Sequence, residues 1–136
     1  MAKKIKAQHK PSLGGLTIHD GPDDWNSRVQ ELLAGGQLEQ ACALARRGRA
    51  LWPEHTPLIN NLSLGLSLLG QQDAAVHMAQ QALALNPNNL HATANLVRYL
   101  VLQGQPDKAR VVAKTLKGLP GAPGEEDVAV KKAEAL

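Results

Sequence analysis

Few residues in this chain have the type and spacing to do chemistry. There are five histidines, His9, His19, His55, His77 and His91, and one cysteine, Cys42. No two histidines stand four apart, the spacing that puts two imidazoles on one helix face for a metal. His77 and His91 have no cysteine or paired carboxylates nearby in sequence. A thiol nucleophile needs a base beside it, and the nearest candidates, Arg46 and Arg47, stay protonated. Cys42 therefore reads as a packing thiol and the histidines as surface residues. Gly35-Gly36 has no strand before it and no Lys-Ser/Thr after it, so it is not a phosphate loop. The sequence thus predicts no catalytic residues, no metal and no cofactor. What remains are amides, chiefly Asn60, Asn61 and Asn95. Each offers both a donor and an acceptor and can grip a peptide bond at both ends. Asparagine is a poor helix former, so its place in a helical stretch needs a reason.

The elements that would position these amides follow a period of 34. Gly36, Gly70 and Gly104 keep that spacing. So do Ala41, Ala75 and Ala109, and Gln37, Gln71 and Gln105, and Leu32, Leu66 and Leu100. Pro53 and Pro87 keep it too, with Pro120 one place early. Before each glycine, apolar residues recur at helical spacing: Trp25, Val29, Leu32 and Leu33; Ile59, Leu62, Leu66 and Leu69; Leu96, Val97, Leu100 and Val101. After each glycine a second helical pattern begins, rich in alanine. The glycine can take a positive φ at the turn, and the late proline stops the second helix. Thr56 before Pro57 reads as an N-cap with a first-turn proline. Pro106 takes the same first-turn place in the third unit, and Asp73 reads as a cap. The alanine column lets two antiparallel helices approach closely where they cross.

Composition agrees with a helical stack. The 136 residues are 43% apolar, with two Trp, one Tyr and no Phe, so Leu and Ala carry the packing. Strand formers are scarce, and one cysteine excludes an internal disulfide framework. No apolar run reaches the roughly 18 residues of a membrane span, and no secretory signal is visible. The expectation is a soluble, cytoplasmic chain. Its net charge of +3 is mild. Lys3, Lys4, Lys6 and Lys10 form a basic start, read as a solvated arm.

A 34-residue helix–turn–helix unit with these columns resembles the tetratricopeptide repeat. The middle unit carries the signature best, in Ile59, Leu62, Ser63, Leu66, Gly70, Ala75, Ala79, Ala82 and Pro87. Unit one has Trp25 at the favoured Trp place but Arg28 where Leu is usual and Gly48 where Ala is usual. Unit three has Leu116 for that Ala. The resemblance implies an all-α, right-handed superhelical stack of three units, 22–55, 56–89 and 90–123, with the outer two looser. Residues 1–21 are expected to form an extended or disordered arm. Residues 124–136 are expected to form a C-terminal helix that caps the stack or starts a fourth repeat. The chain is as readily a piece of a longer protein as a complete one.

The resemblance also implies a binding face. In this family the first helices line a concave groove that holds extended peptides. Carried over by position, the groove residues are Asn26, Ser27 and Gln30; Asn60, Asn61 and Leu64, with Ser67 and Leu68 deeper; and His91, Asn95 and Arg98. Asn61 and Asn95 are 34 apart and could form a ladder along a peptide backbone, like the ladder of repeats attached to protein glycosyltransferases. The family's carboxylate clamp for chaperone tails fits poorly. Asn26 and His91 stand where Lys is wanted, Gln30 where Asn is wanted and Asn95 where Arg is wanted.

The expected function is therefore a non-catalytic scaffold or adaptor for a protein or peptide partner. The alternatives are the docking region of a larger enzyme such as a glycosyltransferase, and a nucleic-acid adaptor using Lys3 to Lys10 and the arginines of the second helices. Self-association through the repeat ends is a further expectation, since an uncovered apolar face seeks a partner.

Overall fold

The computed structural model describes residues 15–116. A short 3-10 turn, Ile18–Asp20, leads into six helices: α1 (Gly21–Ala34), α2 (Leu38–Leu51), α3 (Thr56–Leu68), α4 (Gln72–Leu85), α5 (Leu90–Leu102) and α6 (Pro106–Leu116). There is no strand among the described residues. The fold is all-α, three helical hairpins in a row, as the period requires. The basic start at Lys3 to Lys10, Pro120 and the expected helix at 124–136 lie outside the described residues.

The turn chemistry is identical in the three hairpins. Gly36, Gly70 and Gly104 have φ of 77°, 85° and 83°. Each glycine N–H donates to the carbonyl three residues back, and the following Gln N–H donates to the carbonyl five back: Gln37 to Leu32 at 2.9 Å, Gln71 to Leu66 at 2.9 Å, Gln105 to Leu100 at 2.9 Å. These paired bonds satisfy the free carbonyls of a helix end around a left-handed residue. The same Gln then starts the next helix, its own carbonyl accepting from Ala41, Ala75 or Ala109 N–H. One glycine and one residue after it thus end one helix and open another.

Two helix starts differ from expectation. The N-cap of α3 is His55, not Thr56; its Nδ1 accepts from Leu58 N–H at 3.4 Å. Thr56 is already helical and Pro57 keeps its first-turn place. An imidazole Nδ1 reaches the free N–H as an Asn or Asp oxygen would. Asp73 does not cap α4 either. Gln71 is the N-cap, without a side-chain bond, and Asp73 lies inside the first turn, where the helix dipole favours a carboxylate. Asp73 Oδ1 accepts from Gln103 Nε2 at 2.6 Å.

The described end of the expected arm is not extended. Thr17 and Asp20 close a reciprocal cap around the 3-10 turn, and Gly21 already belongs to α1. Trp25 Nε1–H donates to Thr17 carbonyl at 2.8 Å, and Leu16 packs against the core. The Trp at the first place of unit one therefore anchors the entering chain as well as the hairpin.

The core runs the length of the stack. Trp25, Val29 and Leu32 in α1, Leu58, Ile59, Leu62 and Leu66 in α3, and Leu96, Val97 and Leu100 in α5 are all buried. Against them lie the alanines: Ala41, Ala45, Ala75, Ala79, Ala82, Ala109 and Ala113. Trp25 and Trp52 meet edge to face at 5.4 Å, a favoured aromatic geometry. Unit one's Gly48 departs from the repeat for a visible reason. A Cβ there would stand 2.9 Å from Leu58 Cδ1 and 3.5 Å from Trp25 Cε3, so larger neighbours already fill the space. Leu116 is fully buried in the corresponding place of α6. At these positions the outer units are as buried as the middle one.

Candidate functional site

The expected groove residues sit on α1, α3 and α5, so the packing of these three helices decides what they can do. Each hairpin packs internally, and α1 packs directly on α3 and α3 on α5. The second helices do not form such a row. Between α2 and α4 there is an open hollow of 530 Å³ instead. A stack whose first helices touch while its second helices stand apart curves with the first helices on the inside.

Polar bonds lace that inner row. Asn61 Nδ2 on α3 donates to Asn26 Oδ1 on α1 at 2.7 Å. Tyr99 on α5 is fully buried, and its hydroxyl meets Ser63 Oγ on α3 at 3.2 Å. Ser63 Oγ donates to Asn60 carbonyl at 2.6 Å. Burial pushes the Tyr99 phenol above its ordinary pKa, against the smaller opposing pulls of the Ser63 hydrogen bond and the Arg98 charge. Asn60 Nδ2 reaches Asn89 Oδ1 at 3.5 Å, a long bond, and Asn60 Oδ1 is buried with no protein partner.

The structure brings Asn26 and Asn61 into contact. Asn60 turns to Asn89, outside the expected set. Gln30, His91 and Arg98 are exposed, and Asn95 and Leu64 are half-buried. Leu68 is 55% and Leu102 57% exposed, at equivalent ends of α3 and α5. Ser67 is turned toward the next helix; its Oγ donates to Gln72 Oε1 at 2.7 Å. The arrangement can offer amide donors and acceptors at one end of the first helices and aliphatic side chains at the other.

Two contributors escape a reading by repeat position. Asn89 caps α5, its Oδ1 accepting from Ala92 N–H at 2.9 Å, while also facing Asn60. Its place after Pro87 and before a helical pattern is a cap signal. The Ser63–Tyr99 link joins residues 36 apart, off the 34-residue register, and had no such signal.

The other chemistry-bearing groups are engaged structurally. His55 Nε2 lies 3.0 Å from Asp23 Oδ1, and His77 Nε2 is 3.1 Å from Gln81 Nε2. Cys42 is buried, and burial raises its thiol pKa despite Arg46, which keeps it protonated and unreactive. Among the described residues no three of His, Cys, Asp or Glu gather as a metal site. None of the described helices is long and apolar enough to cross a membrane.

Comparison with known proteins agrees with this architecture. Residues 68–120 match the family model described as tetratricopeptide repeat. No curated protein matches the chain. Solved structures do. The Sgt2 TPR domain from Aspergillus fumigatus is 16% identical with a TM-score of 0.76, covering 84% of this chain and 77% of that one. The second TPR domain of human RPAP3, in complex with an HSP70 peptide, is 19% identical with a TM-score of 0.74, covering 84% and 98%. The Yersinia enterocolitica type III secretion chaperone SycD, in complex with a peptide of the translocator YopD, is 13% identical with a TM-score of 0.74, covering 83% and 92%. At such identities the likeness is one of fold. The family match, which begins at the end of α3 and runs through the third unit, the 34-residue period and the shared fold all agree with the tetratricopeptide-repeat architecture.

Proposed function

We propose that this chain is a non-catalytic protein-interaction scaffold that holds an extended peptide along the inner face of α1, α3 and α5. The observation that carries this reading is the continuous row of first helices with Asn26 and Asn61 joined across it at 2.7 Å. Asn60, Asn61 and Asn95 sit inside helices, where Asn costs stability relative to Ala. Asn60 keeps a buried, unpartnered oxygen as well, a further cost. A peptide backbone gives the amides of Asn61 and Asn95 a purpose. Peptide complexes of the similarly folded RPAP3 and SycD domains support the reading.

The acidic-tail clamp is not the form proposed. Asn26, Gln30, His91 and Asn95 leave the inner face short of cations, with Arg98 the one fixed positive charge among the groove positions. Exposed Leu68 and Leu102 offer aliphatic contacts instead. Nothing among the described residues favours the docking region of a glycosyltransferase over this reading.

The test is a peptide selected from a random library on the full chain, with its affinity measured for the wild type and for Asn61→Ala with Asn95→Ala. The double variant is expected to bind at least tenfold more weakly with unchanged helicity by circular dichroism. Equal affinity would retire the amide ladder.

A further inference from the structure

The hollow between α2 and α4 lies on the opposite side of the stack from the amides. It is lined by Arg46, Arg49, Ala50 and Pro53 from the first hairpin, with Ile59 beneath and Gln81, Ala84 and Leu85 opposite. Its 530 Å³ falls within the range of ligand and side-chain pockets, about 300–1,000 Å³. Ile59 forms a buried apolar floor, and Leu85 is 44% exposed at the lip. Arg46 and Arg49 are three apart on α2, so they share a face.

Among the described residues no carboxylate lines this hollow. Among the described residues the ion pairs are Arg28–Glu31 and Arg110–Asp107, so Arg46 and Arg49 take part in none. Arg49 is nevertheless held in place: its Nη2 donates to Gln81 Oε1 at 2.8 Å, and Gln81 is steadied by His77. A guanidinium fixed at one edge keeps other N–H donors for a planar, bidentate carboxylate partner. Charge and surface together call for a ligand with carboxylates beside an aliphatic side chain.

We propose that the groove between α2 and α4 is a second docking surface, which takes a short acidic segment of a partner protein with an aliphatic residue between its carboxylates. Arg46 and Arg49 receive the carboxylates, and the aliphatic side chain enters over Ile59 and against Leu85. This surface is independent of the inner-face amides, so the chain can hold two segments at once.

The probe is a fluorescein-labelled octapeptide of alternating Glu and Leu, titrated against the full chain at low and physiological salt. Binding is expected to weaken with salt and at least tenfold in Arg46→Glu with Arg49→Glu. It should be unchanged in Asn61→Ala with Asn95→Ala. A Gln–Leu octapeptide and an oligo-Glu octapeptide should each bind at least tenfold more weakly than the probe. Thermal melts confirm that the variants remain folded. The proposal is overturned if the charge reversal leaves affinity unchanged, if either control peptide binds as well as the probe, or if the asparagine variant abolishes binding. It is overturned too if sedimentation shows that the arginine pair instead joins two copies of this chain.

Discussion

Gly65 marks a close approach between the first two hairpins. A Cβ at this position would stand 2.6 Å from Cys42 Sγ on α2 and 3.4 Å from Leu33 Cδ2. Alanine is the better helix former by about 1 kcal/mol, but overpacking costs roughly 1–3 kcal/mol. The clash should therefore win, and Gly65→Ala should lower stability in urea melts. In a Cys42→Ala background the sulfur is gone and the same change should be neutral or stabilising. Additive losses in the double-mutant cycle would contradict this account. Cys42 also sets an alkaline limit, together with Tyr99. Burial raises both pKa values in the fold, so the folded chain holds these protons more tightly than the unfolded chain. The resulting stability is fully present below the ordinary thiol and phenol ranges and is lost as pH climbs through the raised values. The melting temperature should fall in alkaline buffer, and Tyr99→Phe with Cys42→Ser should flatten that fall. An unchanged slope would show that neither group is responsible. The packing role of Cys42 was legible in the sequence, because no base adjoins it. Its contact with Gly65 was not, since the two lie in different units and off the repeat register.

At the scale of the helix, the hairpin turn was the most legible element. The Gly and Gln columns predict a left-handed residue followed by a helix start, and the three turns make the same bonds. Legibility failed at helix starts, where chemistry competes locally. Thr56 is a better cap by type, yet His55 takes the place because Thr56 is already in the helix. Gly48 looked like a defect in the repeat; Leu58 and Trp25 occupy the volume a methyl would need. The same volume argument bears on the alanine column. Ala75 is fully buried at the crossing of α3 and α4, so Ala75→Leu should destabilise by about 1–3 kcal/mol, read from the denaturation midpoint. An unchanged midpoint would show that the crossing has room and that the column needs another explanation.

For the whole molecule, curvature follows from an asymmetry between the two rows of helices. First helices touch, second helices stand apart, and each side acquires its own surface chemistry. The period made the stack and the choice of inner helices legible. It could not reveal the cross-links between units: Asn26 with Asn61, Asn60 with Asn89 and Ser63 with Tyr99 are spaced 35, 29 and 36 residues apart, so no repeat column contains them. Nor could it reveal the hollow between α2 and α4, whose Arg46 and Arg49 are replaced by Gln80 and Leu83 at the equivalent places of the next unit. The most direct measurement is the paramagnetic broadening of backbone amide resonances by a spin-labelled copy of the library-selected peptide. Broadening centred on Asn26, Asn61 and Asn95, spreading along α1, α3 and α5, is the predicted result. Broadening confined to α2, α4 and α6 would contradict the claim that the inner wall is the peptide-binding surface.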